Sequence, residues 1–174
     1  MTASDVTAFY RAMQGQGIEI WLDGGWGVDA LLGRQTRPHS DLDIVVQQKD
    51  LETLVAWLEA RGYGEAPRAD TRAWNFALGD GEGREIDLHV IVLDDAGNGL
   101  YGPPERGEGN YPAEALQGRG VVDGLAVRCT SAAFQVQSHS GYELDETDYA
   151  DVKALTEAFE LELPEEYRRR FETR

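Results

Sequence analysis

Positive charge is scarce in this chain. Of its 174 residues only two are lysines, Lys49 and Lys153, and 16 Lys+Arg stand against 32 Asp+Glu, for a formal net charge of −16. Nucleic-acid binding depends on Lys and Arg neutralising phosphates, so the charge argues against a polyanionic macromolecule as main partner. A small cationic or neutral ligand, or an anion held through a metal, stays compatible, and surplus acid also serves solubility alone. Cysteine is nearly absent: Cys129 stands alone, which excludes an internal disulfide, and no Cys/His spacing around it suits a metal. It reads as a small apolar residue. Long apolar runs are lacking, so no membrane span is expected. The opening MTASDVTAFYRAMQ has neither the basic stretch nor the apolar run of a signal peptide, which makes the cytoplasm the default compartment. A hydrophobic content of 41% supports one domain with a real core, expected over residues 1–163 with a charged, frayed tail over 164–174.

The pattern along the chain predicts an α+β fold, a small mixed sheet flanked by helices. Helical spacing runs over Ala3–Gln14, Trp26–Leu32, Asp50–Arg61, Ser131–Ser138 and Asp148–Glu160. Strands are expected at Ile18–Leu22, Asp41–Val46, Ala73–Leu78, Arg84–Leu93, Gly120–Val122 and Leu125–Arg128, the last four as two hairpins. Asp94–Asn110, rich in Gly and Pro, reads as a loop.

What stands out is carboxylate in apolar surroundings. In "RPHSDLDIVV" Asp41 and Asp43 sit one residue apart at the start of a buried strand, on one face and roughly 6.5–7 Å apart. Two such charges repel unless a divalent cation lies between them, and Mg²⁺ takes oxygen ligands of this kind. The plainer alternative makes Asp41 a turn residue and leaves Asp43 in solvent. "REIDLHVIV" adds Asp87, which shares a face with His89 and Ile91 while Leu88, Val90 and Val92 share the other. If the two strands pair, three carboxylates converge, with Asp87 as third ligand or as base for a hydroxyl. Upstream, Gly24 and Gly25 in "WLDGGWGVD" end a strand before a helix, where backbone N–H groups can hold phosphate.

"WLDGGWGVDALLGRQTRPHSDLDI" resembles the signature of polymerase-β-type nucleotidyltransferases in the version carried by antibiotic-modifying enzymes. "EGNYP" (108–112) and "HSGYELDETDYADVKAL" (139–155) are similar to later motifs of the small lincosamide nucleotidyltransferase family. The likeness covers about Trp21 to Leu155. Its first motif is shared with aminoglycoside 2″-nucleotidyltransferases, and the C-terminal motif favours the lincosamide side.

The resemblance implies a polymerase-β-like fold and transfer of a nucleoside monophosphate, AMP from ATP, to a hydroxyl of a small antibiotic. It implies Mg²⁺ on Asp41 and Asp43 with Asp87 as third carboxylate and candidate base, and triphosphate at Gly24 and Gly25. Arg37 and His39 flank the site as candidate phosphate contacts, with His39 alternatively only fixing the turn before the strand. Lys153 either neutralises the outgoing pyrophosphate or pairs with a surface acid. His89 is an orienting, substrate-contacting or interior histidine. Tyr111 and Tyr142 are candidates for a substrate wall or for ordinary aromatic contacts, and Trp74 and Tyr101 would suit an apolar acceptor. Asp145, Glu146 and Asp148 either meet an antibiotic amine or form an acidic helix start. The partners expected are NTP and antibiotic, with no nucleic acid and no membrane, and with a homodimer as one way of completing the acceptor pocket. An aminoglycoside acceptor, or a nucleotide-binding, antitoxin-like protein of the same fold, is the alternative. A glycosyltransferase also uses D-x-D but does not call for the Gly-Gly turn.

Overall fold

The computed structural model describes residues 1–102, 110–140 and 143–172. Strands β1 (Ile20–Leu22), β2 (Asp41–Gln47), β3 (Gly64–Glu65), β4 (Asn75–Gly79), β5 (Glu85–Leu93), β6 (Gly99–Tyr101), β7 (Gly118–Val122) and β8 (Leu125–Cys129) form one mixed sheet. Its order is β3-β4-β5-β2-β1-β8-β7, with β6 on the second half of β5. The decisive pairing is β2 with β5, which run parallel with Asp43 opposite Asp87.

Strict alternation on β2 and β5 gives the sheet two faces. Leu42, Ile44, Val46, Ile86, Leu88 and Val90 are buried beneath helices α1 (Ala3–Gly15) and α3 (Gln48–Glu59), which add Val6, Phe9, Met13, Leu54 and Leu58. The residues between them face the other way, where Trp21, Val45, Ile91 and Tyr111 make a smaller cluster. The carboxylates of both strands stand on this second face. Val92, expected on the main core face, is 47% exposed, because β5 runs past its last pairing with β2 at Ile91.

Helices α2 (Gly24–Leu32), α4 (Ala132–Ser138), α5 (Glu146–Phe159) and α6 (Glu165–Glu172) close one end of the sheet around Val28, Val136, Val152, Leu155 and Tyr167. Helix α6 replaces the frayed tail expected after Pro164: Tyr167 is fully buried and its hydroxyl donates to the His139 carbonyl. Further elements differ from expectation, among them β3, a two-residue pairing with β4 that has no expected counterpart. Strand β6 lies inside the stretch read as loop, where Gly-rich composition hid a short pairing with β5, while 103–109 fall outside the described residues. Strand β7 begins at Gly118, two residues early, because Gly118 still pairs with Cys129. The acidic run Asp145–Asp148 is a helix start: Asp145 accepts from the Thr147 and Asp148 N–H groups, and Asp148 accepts from that of Asp145. Among the described residues no helix is long and apolar enough to cross a membrane.

Candidate active site

Gly24 and Gly25 are required by close approach. Gly24 has φ +51, a left-handed conformation that glycine adopts freely, and a Cβ there would lie 2.3 Å from Asp43 Oδ2. A Cβ on Gly25 would meet His39 Nδ1 at 2.5 Å and Arg37 Nη2 at 2.8 Å. The amino end of α2 therefore lies directly against Asp43, with its first N–H groups lacking intrahelical acceptors. Asp23 occupies the N-cap position but makes no side-chain cap bond.

The Asp23 carboxylate is committed elsewhere. Its Oδ1 accepts from Thr130 Oγ1 (2.7 Å) and Gln135 Nε2 (3.1 Å), and its Oδ2 accepts from the Tyr111 hydroxyl (3.1 Å). Tyr111 has one proton, which goes to Asp23, so His89 Nδ1, 2.9 Å from that hydroxyl, donates to it. His89 thus presents Nε2 to Asp43, at 4.0 Å from Oδ1. Burial, reinforced by Asp23, raises the Tyr111 hydroxyl well above its ordinary value and keeps it a donor.

Asp43, Asp87 and His89 bring one ligand atom each to within 4.8 Å of one another. Two carboxylates and an imidazole suit a divalent cation, and the oxygen donors suit Mg²⁺. Burial pushes the Asp43 carboxyl up to about 6, with His89 opposing and the Asp41, Asp23 and Asp87 carboxylates adding to the rise. Asp41 stands at the outer end of the same face, opposite Glu85 in register. Arg68, from the loop between β3 and β4, lies over this acidic edge, 2.6 Å from Glu85 Oε2 and from Asp87 Oδ2 and 3.6 Å from Asp41 Oδ2.

Arg37 and His39 serve as a brace beside Gly25. Arg37 Nη1 lies 2.9 Å from His39 Nδ1, and since Arg only donates, His39 carries its proton on Nε2, which reaches Asp29 Oδ2 at 2.5 Å. Arg37 Nη2 reaches Asp151 on α5 at 3.0 Å. Thr36 donates twice to Asp29 Oδ1. Against the penalty of burial, the hydrogen bonds from His39 and Thr36 hold the Asp29 carboxyl below its usual range.

A cavity of about 470 Å³ opens beside these groups, lined by Asp23, Gly24, Asp43 and His89 and by Tyr101, Phe134 and His139. Tyr111 lines it as well. Trp74 is not among the lining residues and contacts the main core instead. Lys153 is not brought there either. It lies on α5, 3.8 Å from Glu157 and with its side chain 55% exposed, roughly 200° around the helix from Asp151. Tyr142 lies outside the described residues.

Asp23, Glu85, Arg68, Phe134, Gln135 and His139 were not singled out as site residues from the sequence. Glu85 carried a usable signal: Glu85-x-Asp87 repeats the spacing of Asp41-x-Asp43 on the neighbouring strand. Asp23 was visible only as a polar residue closing an apolar strand. The others come from loops and helices whose position no periodicity reveals.

The chain is similar to several known proteins. The family model described as Aminoglycoside-2''-adenylyltransferase matches residues 5–155. A lincosamide resistance protein of Staphylococcus haemolyticus is 35% identical over 139 residues, 79% of this chain and 84% of the relative. A 2''-aminoglycoside nucleotidyltransferase of Escherichia coli is 30% identical over 139 residues, 75% of this chain and 70% of the relative. The crystal structure of the lincosamide antibiotic adenylyltransferase LnuA with lincomycin bound superposes with a TM-score of 0.77 at 31% identity, covering 90% of this chain and 97% of that one. The expected nucleotidyltransferase fold is the fold of this chain.

Proposed function

The chain belongs to the aminoglycoside-2''-adenylyltransferase family and is a nucleotidyltransferase, and from that premise we propose that it transfers AMP from ATP to a hydroxyl of a lincosamide. The observation that carries the acceptor class is the cavity lining, which combines two carboxylates, Asp23 and Asp43, with three aromatic rings, Tyr101, Tyr111 and Phe134, among amide and hydroxyl side chains. A lincosamide, with one amine and extended apolar surface, matches that combination. An acceptor with many amines would need more carboxylates, and those lining the cavity are Asp23 and Asp43.

Asp43 and Asp87 would hold Mg²⁺, with His89 close enough to join them, and Asp41, on the same face but outside that cluster, would be the further ligand expected from the sequence. Bound there, the ion supplies charge neutralisation for the triphosphate and for the leaving pyrophosphate. The chain's own groups do the rest. Gly24 and Gly25 turn the N–H groups at the start of α2 towards the phosphates, and Arg37, fixed by Asp151, stands beside Gly25 in the part expected of Lys153. Asp87 takes the proton from the acceptor hydroxyl. That oxygen forms a new bond to the α-phosphorus, the bond from the α-phosphorus to the β-bridging oxygen breaks, and pyrophosphate leaves with the electron pair. Asp23, Tyr111 and His89 hold the end of the cavity rigid.

The test is pyrophosphate release from ATP and Mg²⁺ with lincomycin or tobramycin as acceptor. Release with lincomycin that Asp87→Asn lowers by about three orders of magnitude or more supports the reading. Release with tobramycin alone moves the chain to the aminoglycoside side. Silence with both, in folded protein, removes the antibiotic assignment.

A further inference from the structure

Arg68 takes no part in the transfer step proposed above, yet it makes more ion pairs at the acidic edge than any other described residue. One guanidinium reaches Glu85 and Asp87 at 2.6 Å each and Asp41 at 3.6 Å. The loop is folded to present it: the Arg68 N–H donates to Thr71 Oγ1 (2.8 Å) and the Thr71 N–H donates back to the Arg68 carbonyl (3.2 Å). The arginine side chain is 35% exposed, so a path into solvent is open to it. Two of the three carboxylates assigned to the metal are thus engaged by a side chain, while Asp43 is engaged by none of its bonds.

A guanidinium and a divalent cation compete for the same lone pairs. Arg neutralises a carboxylate through N–H donors, whereas Mg²⁺ needs the oxygen itself at bonding distance. Four carboxylates stand close together here, Asp41, Asp43, Glu85 and Asp87, and the repulsion among them falls to whichever cation is present. Glu85 lies outside the expected ligand set, so it gives Arg68 a partner to keep when Asp87 is needed elsewhere.

Resting on the metal and base assignments above, we propose that Arg68 is the resident counter-ion of the acidic edge. It holds Asp41, Glu85 and Asp87 together in the metal-free enzyme and gives up Asp41 and Asp87 to the divalent cation. Its departure uncovers Asp87 Oδ2, so the base is masked until the metal is in place. A purely structural arginine would affect folding stability alone, whereas a competing one also sets metal affinity.

The experiment is Mn²⁺ binding without nucleotide, followed by the magnetic resonance signal of the free ion, in wild type, Arg68→Ala and Arg68→Lys. Arg68→Ala is expected to bind Mn²⁺ about five- to tenfold more tightly than wild type, with Arg68→Lys between them. Amide exchange over residues 66–73 is expected to quicken when Mn²⁺ is added to wild type and to be unaffected in Arg68→Ala. Arg68→Lys keeps the charge and guards against a folding defect in the alanine variant. Equal or weaker Mn²⁺ binding by Arg68→Ala, or slower exchange on adding Mn²⁺ to wild type, overturns the proposal. Pyrophosphate release by wild type reports separately on the transfer reading. Release together with unchanged Mn²⁺ affinity sinks the exchange alone, and no Mn²⁺ binding in any of the three sinks the metal assignment with it.

Discussion

Asp43 shows how one residue can be costly to the fold and useful to the site. Its folded-state value of about 6 lies above the ordinary 3.8, so the folded chain binds this proton more tightly than the unfolded chain does. Stability from that proton is fully present below the ordinary value and is lost as pH rises through about 6. In metal-free protein, Asp43→Asn is therefore expected to melt higher than wild type at neutral pH and to converge with it in acid. Parallel melting curves across that range in both proteins would contradict the assignment. Gly24→Ala attacks the same carboxylate from the other side. The left-handed backbone costs about 1–2 kcal/mol with a Cβ present, and the methyl displaces Asp43. Since a shift of about 1 Å in a reacting group can cost roughly a hundredfold in rate, turnover is expected to fall by about that factor or more while far-ultraviolet circular dichroism is unchanged. Gly15→Ala, with nothing within 4 Å of the added methyl, is the control and is expected to be silent.

At the scale of elements, β2 and β5 were legible and α6 was not. On both strands an apolar residue stands at every second position, so a carboxylate between two of them announces a face with a purpose. Register then follows from geometry that sequence does not carry: Asp43 meets Asp87 only because the strands run parallel and in phase. Helix α6 reads as "EEYRRRFE", where charge drowns the helical period, and the burial of Tyr167 comes from α2, α4 and α5 closing over it. Arg68 was illegible for a related reason, because a loop has no repeating geometry from which to project a side chain. If α6 is part of the fold, Tyr167→Ala is expected to cost about 3–5 kcal/mol, as large aromatic truncations do. Tyr167→Phe, which removes only the bond to the His139 carbonyl, is expected to cost about 1 kcal/mol. Urea denaturation of the three proteins measures both, and an alanine variant as stable as wild type would mean that the helix does not dock in solution.

For the molecule as a whole, the charge of −16 acts at a distance and without a preferred acceptor hydroxyl. This is why composition left lincosamide and aminoglycoside open: both are cations, and the difference between them lies in the apolar wall, which only the folded chain assembles. The field does make a distinction in salt. A singly charged acceptor held mainly by Tyr101, Tyr111 and Phe134 should lose little when screening shortens the reach of surface charge. Between about 50 and 500 mM salt, KM for lincomycin is expected to rise by no more than about twofold, and any turnover of tobramycin to weaken far more. A steep salt dependence with lincomycin would place its binding on charge instead of the wall.

The bonds that satisfy Asp23 have a consequence for how the chain is made. Asp23 waits for Thr130 and Gln135, 107 and 112 residues further on, and Arg37 waits 114 residues for Asp151. A nascent chain that has left the ribosome only as far as β5 already holds every carboxylate of the acidic edge, and Arg68 to quiet them. The cavity comes later, because two of the three donors to its inner acid, Thr130 and Gln135, lie in the last third of the chain. Synthesis thus delivers an acidic edge with its own cation first, and the place for an acceptor second.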